Sequence, residues 1–120
     1  MIKMVVFLKR RPGMSMEEFI EYYESHHRLI GERVLKPHAV RYMRRYLNPV
    51  PNPSGGKPEE SDYDVLMEAW YPDEASFEAA MKAISEPDNL KIIEQDEARL
   101  FDRPKMRSFM VREFESDMKA

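Results

Sequence analysis

The sequence predicts an α+β domain in which a four-stranded antiparallel sheet carries helices on one face. Four short apolar segments are rich in β-forming residues, and two stretches with helical periodicity lie between them. Their order, strand–helix–strand–strand–helix–strand, is that of the ferredoxin-like split βαβ arrangement. The chain has 120 residues, enough for one core, so we expect residues 1–120 to form a single domain.

The first half of the chain predicts one strand and one long helix. Residues 2–9 are an apolar run that a Pro-Gly pair ends, which is typical of a strand. Ser15 and Glu18 have the spacing of a capping box, in which each side chain bonds the backbone N–H of the other residue. The apolar periodicity after this box predicts a helix over residues 16–35.

The second half of the chain supplies the remaining elements. In order, we expect strands over 39–47 and 64–71, a helix capped by Asp73, a second helical segment beginning at Pro87 and a strand over 106–114. A long Pro- and Gly-rich loop over residues 48–62 is either a mobile connection or a lid. We expect the charged tail, residues 115–120, to be frayed.

Both faces of the predicted sheet are apolar. In the first strand, Val5 and Phe7 face away from Val6. In the third strand, Leu66 and Trp70 lie together on one face. Helices can cover only one face, and a bare apolar face of four strands exceeds what monomers usually expose. We therefore expect a homodimer in which the open face packs on a copy of itself.

Composition excludes several functional classes. A formal net charge of −3 without a basic stripe gives no reason to expect nucleic acid as a partner. No segment approaches the roughly 20 apolar residues that cross a membrane, so we expect no membrane partner. Cysteine is absent, which excludes thiolate catalysis and disulfides. We expect a cytoplasmic protein.

Two adjacent histidines lie in the predicted helix. At about 100° per residue, His26 and His27 both fall on or at the margin of the apolar stripe that contains Phe19 and Tyr23, and periodicity does not choose between them. Adjacent histidines point in different directions, which is unsuitable for a shared metal ion. The sequence also contains no phosphate-binding or dinucleotide-binding motif. We therefore expect no metal and no organic cofactor.

Several segments, taken in order, resemble a known family. They are Pro12-Gly13 with Glu18-Phe19, the run Tyr22-Tyr23-Glu24-Ser25-His26-His27, the segment 64–71 with Phe77 after it, and the segment 96–102. Together they resemble the EthD family of dimeric α+β barrel proteins. On the family pattern His27 matches the family histidine and Tyr23 stands where tryptophan is usual. Leu29-Ile30 stands where Pro-Leu is usual, so we expect this helix to continue straight.

The resemblance implies a range of activities. The family is named after a gene cluster for ether degradation and is often labelled oxidoreductase by association, and fungal relatives are linked to polyketide dehydration or decarboxylation. The barrel superfamily also includes cofactor-independent monooxygenases, lactone isomerases and haem-binding peroxidases. We expect a cofactor-independent enzyme acting on a hydrophobic or aromatic carbonyl or phenolic small molecule. The alternatives are a non-catalytic accessory protein that binds such a molecule and a haem-binding protein with His27 as axial ligand.

Two residues are the candidates for proton transfer. His27 is a candidate general acid or base, because an imidazole titrates near neutral pH. The alternative is a structural histidine bonded to a backbone carbonyl. Glu68, flanked by apolar residues, needs a partner. It either orients the His27 ring or forms an ion pair with Arg44 or Arg112.

Four aromatic residues are the candidates for substrate binding, namely Phe19, Tyr23, Tyr42 and Trp70. The chain also has ten methionines and six tyrosines, a composition that suits an adaptable apolar cavity for a flat ligand. It suits an ordinary core equally well.

Overall fold

The computed structural model describes residues 1–56 and 60–119 and contains one four-stranded antiparallel sheet within them. The sheet order is β2-β3-β1-β4. The strands are β1 (Ile2–Leu8), β2 (Arg41–Tyr46), β3 (Val65–Tyr71) and β4 (Arg107–Met110), and the α-helices are α1 (Met16–Tyr22), α2 (Arg28–Leu35), α3 (Glu74–Ser85) and α4 (Pro87–Leu100). The order of these elements confirms the predicted ferredoxin-like α+β fold.

The long N-terminal helix begins where the capping box predicts. The Ser15 hydroxyl accepts from the Glu18 amide at 3.1 Å, and the Glu18 carboxylate accepts from the Ser15 amide at 3.1 Å. The chain then remains helical from Met16 to Leu35, with a π-helical segment, Tyr23–His27, between α1 and α2. The predicted helix is confirmed, and the π-helical segment is a feature that the periodicity did not predict.

The strands differ from their predicted bounds mainly at the C-terminus. The predicted strand over 106–114 is shorter, because β4 ends at Met110 and residues 111–119 contain no helix or strand. Residues 57–59 of the predicted loop, and residue 120 of the predicted tail, lie outside the described residues. No helix among the described residues is long and apolar enough to cross a membrane.

The core lies between the helices and one face of the sheet. One cluster joins that face to the N-terminal helix and to the end of α4, and its buried members are Val6, Leu8, Phe19, Tyr23, Val65, Leu100 and Phe101. A second cluster of Leu35, Ala69, Tyr71 and Ala80 joins the sheet to α2 and α3. Because side chains alternate along a strand, Leu66, Glu68 and Trp70 lie on the opposite face, which we call the open face.

The open face combines apolar and charged side chains. The Phe7 and Phe109 rings meet edge to face at 5.8 Å between centroids. The cationic groups of Lys3 and Arg41 lie 3.9 Å and 4.6 Å from the centroid of the Trp70 ring. Among the described residues, the helices pack on the other face and leave this one uncovered.

Candidate active site

The π-helical segment determines where His27 lies. A π-helix bonds residues five apart, so its turn holds one more residue than an α-helical turn and rotates the later residues about the helix axis. Here His27 is only 9% exposed and Tyr23 1% exposed, whereas His26 is exposed. The His27 ring meets Tyr23 and Phe101 edge to face, each at 5.2 Å between ring centroids. Of the two adjacent histidines, the structure therefore buries His27.

A buried carboxylate from α4 contacts the His27 ring. Asp96 Oδ2 lies 2.8 Å from His27 Nδ1, and the Tyr22 hydroxyl donates to Asp96 Oδ1 at 2.5 Å. An ionised carboxylate only accepts hydrogen bonds, so Nδ1 carries the proton of the neutral ring and Nε2 is left with a lone pair. The side chains of His27 and Asp96 are 11% and 9% exposed.

Burial and Asp96 act on the pKa of His27 in opposite directions. Burial penalises the imidazolium and lowers the pKa of His27, while the hydrogen bond and the charge of Asp96 raise it. Burial has the larger effect, so the pKa lies below the ordinary histidine value. At neutral pH the ring is therefore neutral and able to accept a proton at Nε2.

His27 lies on the wall of a cavity between the helices and the sheet. The cavity has a volume of about 200 Å³ and is mostly apolar. Its lining includes His27, Tyr23, Tyr42, Glu97 and the four methionines Met4, Met67, Met81 and Met106. Within residues 1–56 and 60–119, His27 Nε2 makes no hydrogen bond with the protein. The site thus presents a proton acceptor at the edge of an apolar space.

Two tyrosine hydroxyls form a second polar group on the wall of this cavity. Tyr23 Oη and Tyr42 Oη lie 3.3 Å apart, and either one can be the donor. Burial raises the pKa of both phenols, so both remain protonated at neutral pH. Tyr42 lies directly over Gly31, where a Cβ atom would be 2.8 Å from the hydroxyl oxygen.

Glu97 is a further titratable residue of the cavity wall, and it was not among the residues predicted from the sequence. Its side chain is 15% exposed, and its nearest cation is Arg103, whose Nε lies 3.8 Å from Oε1. Burial raises the pKa of Glu97, and the charge of Arg103 opposes this only in part. Glu97 therefore stays protonated to a higher pH than an exposed glutamate.

The structure brings together only some of the predicted site residues. His27, Tyr23 and Tyr42 line the cavity. Phe19 is fully buried in the core beneath it and is not part of the lining. Trp70 lies on the open face, on the other side of the sheet, so its expected place in the same pocket is wrong.

Of the two alternatives for Glu68, the one in which it orients the His27 ring is wrong, and with it the catalytic role predicted for Glu68. Glu68 lies on the open face, where it accepts from Trp70 Nε1 at 2.9 Å and pairs with Arg45 at 2.8 Å. The alternative partners for Glu68, Arg44 and Arg112, are not the ones observed, and Arg44 instead binds Glu24. Strand alternation is the physical reason, because Met67 and Ala69 face the helices and Glu68 between them cannot.

The sequence does indicate that Asp96, the carboxylate that contacts the His27 ring, is buried. Asp96 lies three residues after Ile93 and four before Leu100, which places it on the buried side of α4. A carboxylate on such a stripe is seldom buried without a partner. No comparable sequence pattern predicts the hydrogen bond that Tyr22 donates to Asp96.

The residues of this cavity do not fit a haem group. A volume of about 200 Å³ is too small to hold a haem macrocycle. In the described part of the chain, no three histidine, aspartate or glutamate side chains are grouped as metal ligands would be.

The fold and the cavity define a small ferredoxin-like α+β protein with a histidine–aspartate pair on the wall of an apolar cavity. The family model described as EthD domain matches residues 11–104. The chain therefore belongs to the EthD family, as the sequence motifs predict. A comparison with curated proteins gives no match.

Solved structures with the same fold include three that bear on this protein. An EthD family protein of Bacillus halodurans is 16% identical with a TM-score of 0.61, covering 95% of this chain and 100% of its own. SnoaB, described as a cofactor-independent oxygenase from Streptomyces nogalater, is 14% identical with a TM-score of 0.58, covering 98% and 97%. A dimeric ferredoxin-like protein of unknown function from Thermobifida fusca is 12% identical with a TM-score of 0.54, covering 92% and 88%. At these identities the likeness shows the fold alone.

Proposed function

We propose that this protein is an enzyme in which His27 takes a proton from a hydrophobic, aromatic carbonyl or phenolic small molecule, without a metal or an organic cofactor. The observation that carries the proposal is the His27–Asp96 pair on the wall of an apolar cavity. A buried, neutral imidazole with one nitrogen held by a carboxylate is suited to general base catalysis at the other nitrogen.

Asp96 has two roles in this proposal. It accepts from Nδ1 at 2.8 Å and thereby fixes the tautomer that leaves Nε2 free to accept a proton. When Nε2 takes a proton, the negative charge of Asp96 stabilises the imidazolium inside the cavity. The Tyr22 hydroxyl donates to the other carboxylate oxygen and holds Asp96 in place.

Proton removal is the step that the candidate reactions share. Four candidate reactions of carbonyl or phenolic compounds are oxygenation without a cofactor, dehydration, decarboxylation and isomerisation. Each passes through an anion. The anion either forms when a C–H or O–H proton leaves or is protonated in a later step. The fold neighbour SnoaB is described as a cofactor-independent oxygenase, which favours oxygenation among these four. The label oxidoreductase, and a place in polyketide or ether metabolism, belong to this proposal too.

The experiment measures exchange of the methylene protons of anthrone with D₂O by NMR, since exchange reports proton removal whichever reaction comes next. We expect His27→Ala to lower the protein-catalysed exchange rate by about 10² to 10⁴. His26→Ala is the matched control, because His26 is exposed and is not part of the cavity lining. Glu68→Gln is a second control on the far side of the sheet. Equal rates in His27→Ala and the native protein would contradict the proposal.

A non-catalytic accessory protein is the second candidate, and the apolar lining of the cavity favours it. Such a protein would shield a reactive intermediate rather than convert it. It would bind anthrone, as measured by fluorescence or calorimetry, without accelerating exchange. Binding without exchange in the native protein therefore identifies the accessory role.

We also propose that the protein is a homodimer through the open face. This face presents the large apolar side chains of Phe7, Phe109, Leu66 and Trp70, and no helix of the same chain covers it within the described residues. A dimeric ferredoxin-like protein is among the fold neighbours. Light scattering should give twice the chain mass of 14.3 kDa at micromolar concentration, and a monomer would refute this proposal.

A further inference from the structure

We propose that the hydroxyl of Tyr42, backed by Tyr23, is the binding site for the ligand's carbonyl or phenolic oxygen, at the atom that becomes negative when His27 takes the proton. This inference rests on the proposed function and deepens it. It names the substrate class as molecules that form an enolate or a phenolate.

The proton count of the tyrosine pair supports this site. Two hydroxyls 3.3 Å apart carry two protons, and their mutual hydrogen bond uses one of them. Tyr23 is 1% exposed, and among the described residues its hydroxyl has Tyr42 Oη as its one hydrogen-bond partner, so the arrangement that satisfies the buried donor has Tyr23 donating to Tyr42. The proton of Tyr42 then remains for a ligand in the cavity that both residues line.

Gly31 makes room for the Tyr42 hydroxyl against α2. A Cβ at residue 31 would lie 2.8 Å from the hydroxyl oxygen and 3.0 Å from two ring carbons. The phenol therefore lies against the backbone of α2, in space that any other residue would fill. A donor held in place in this way needs no reorganisation when charge develops on the ligand.

The surroundings of Tyr42 keep its hydroxyl protonated, so that it remains a hydrogen-bond donor. The Arg44 guanidinium lies 4.8 Å from the centroid of the Tyr42 ring, which favours negative charge nearby. Glu24 binds this guanidinium with two hydrogen bonds and offsets much of its charge. Burial, the largest influence, raises the pKa of Tyr42. The hydroxyl thus stays protonated and can share its proton with a ligand anion.

The proton transfer balances without a further reactant. His27 Nε2 takes the proton from the carbon beside a carbonyl, the C–H electron pair forms the carbon–carbon double bond, and the carbonyl π pair moves to oxygen. Tyr42 donates its hydrogen bond to that oxygen. For a phenolic ligand, the O–H bond breaks and the same oxygen carries the charge.

The test compares two small probes, 4-nitrophenolate at a pH where it is ionised, and nitrobenzene, which has the same ring and nitro group but no phenolic oxygen. We expect Tyr42→Phe to weaken 4-nitrophenolate binding by about tenfold or more, the effect of losing a hydrogen bond to a charged group. Nitrobenzene binding should be unchanged. Melting temperature and circular dichroism establish that the variant is folded.

Each other outcome overturns the inference. Unchanged 4-nitrophenolate binding in Tyr42→Phe means that the hydroxyl does not bind the oxygen. An equal loss for both probes means that Tyr42 only packs. If the native protein binds neither probe at millimolar concentration, the oxygen site is refuted. The proposed function fails separately, through the His27→Ala exchange rate, because Tyr42→Phe leaves the His27–Asp96 pair intact.

Discussion

Asp96 Oδ2 lies 2.8 Å from His27 Nδ1, although 69 positions of sequence separate the two residues. The pair joins the π-helical segment to α4 beside the core. Asp96 raises the pKa of His27 while burial lowers it. The protonation state of the His27 ring in a variant therefore depends on whether that variant keeps the burial, the charge of Asp96, or both.

Asp96→Asn should lower the pKa of His27 further. The amide oxygen can still accept from Nδ1, but the negative charge that favours the imidazolium is lost while burial remains. NMR titration of the imidazole Cε1–H resonance measures this change. The resonance of His26, which is exposed on the same segment, is the internal control. A higher pKa of His27 in Asp96→Asn would contradict the assignment.

The stability of the protein should depend on His27 below neutral pH. An unfolded histidine titrates near pH 6.5, and the folded pKa is lower. As pH falls through about 6.5, the unfolded chain binds a proton that the folded chain does not, so the free energy of unfolding decreases. Above that pH the effect is absent.

His27→Gln removes this titration and serves as the reference. Urea denaturation of both proteins from about pH 5 to pH 8 measures the difference in their free energies of unfolding. The native protein should lose more stability on acidification than His27→Gln does. Parallel curves for the two proteins would show that the folded pKa is not lowered.

Gly31→Ala should destabilise the protein even though alanine favours a helix. The usual gain from Gly to Ala in a helix interior is about 0.5–1 kcal/mol. Here the new methyl group would lie 2.8 Å from the Tyr42 oxygen, and overpacking of this kind costs about 1–3 kcal/mol. In a Tyr42→Leu background the same substitution should become neutral or stabilising. A double-mutant cycle by urea denaturation measures the coupling.

Trp70→Glu should dissociate the proposed dimer. The substitution would remove the large indole from the open face and leave a carboxylate that loses its hydration on association, a cost that pairing with Lys3 or Arg41 repays only in part. Leu29→Glu is the matched control, because Leu29 is 52% exposed on the helical side of the molecule. Analytical ultracentrifugation should give a monomer for Trp70→Glu and a dimer for Leu29→Glu. Equal masses for the two variants would place the interface elsewhere.

The fold could be predicted because its signals are local. The capping box at Ser15, the β-forming run before Tyr71 and the cap at Asp73 each depend on residues a few positions apart. Each therefore has its observed structure at the predicted place.

The site could be predicted only in part because it depends on long-range contacts. A regular α-helical period does not distinguish the two histidines, and the π-helical segment changes that period at Tyr23–His27. Glu68 lies among apolar residues of β3 and Asp96 on the buried side of α4, and only the register of β3 decides that Glu68 points away from His27. Tyr42 was predicted as a candidate, but its contact with Gly31 depends on how α2 crosses β2.

The four methionines of the cavity wall have a consequence for selectivity. Methionine is unbranched and adapts its rotamers to a neighbour at little energetic cost, so Met4, Met67, Met81 and Met106 give the pocket a deformable outline. Ligands that differ by a methyl group should therefore be poorly distinguished. If the proposed site is correct, the polar atoms of His27 and Tyr42 should determine which ligands are preferred. Related molecules should then compete for this pocket according to where their oxygen and acidic hydrogen lie, rather than according to their size.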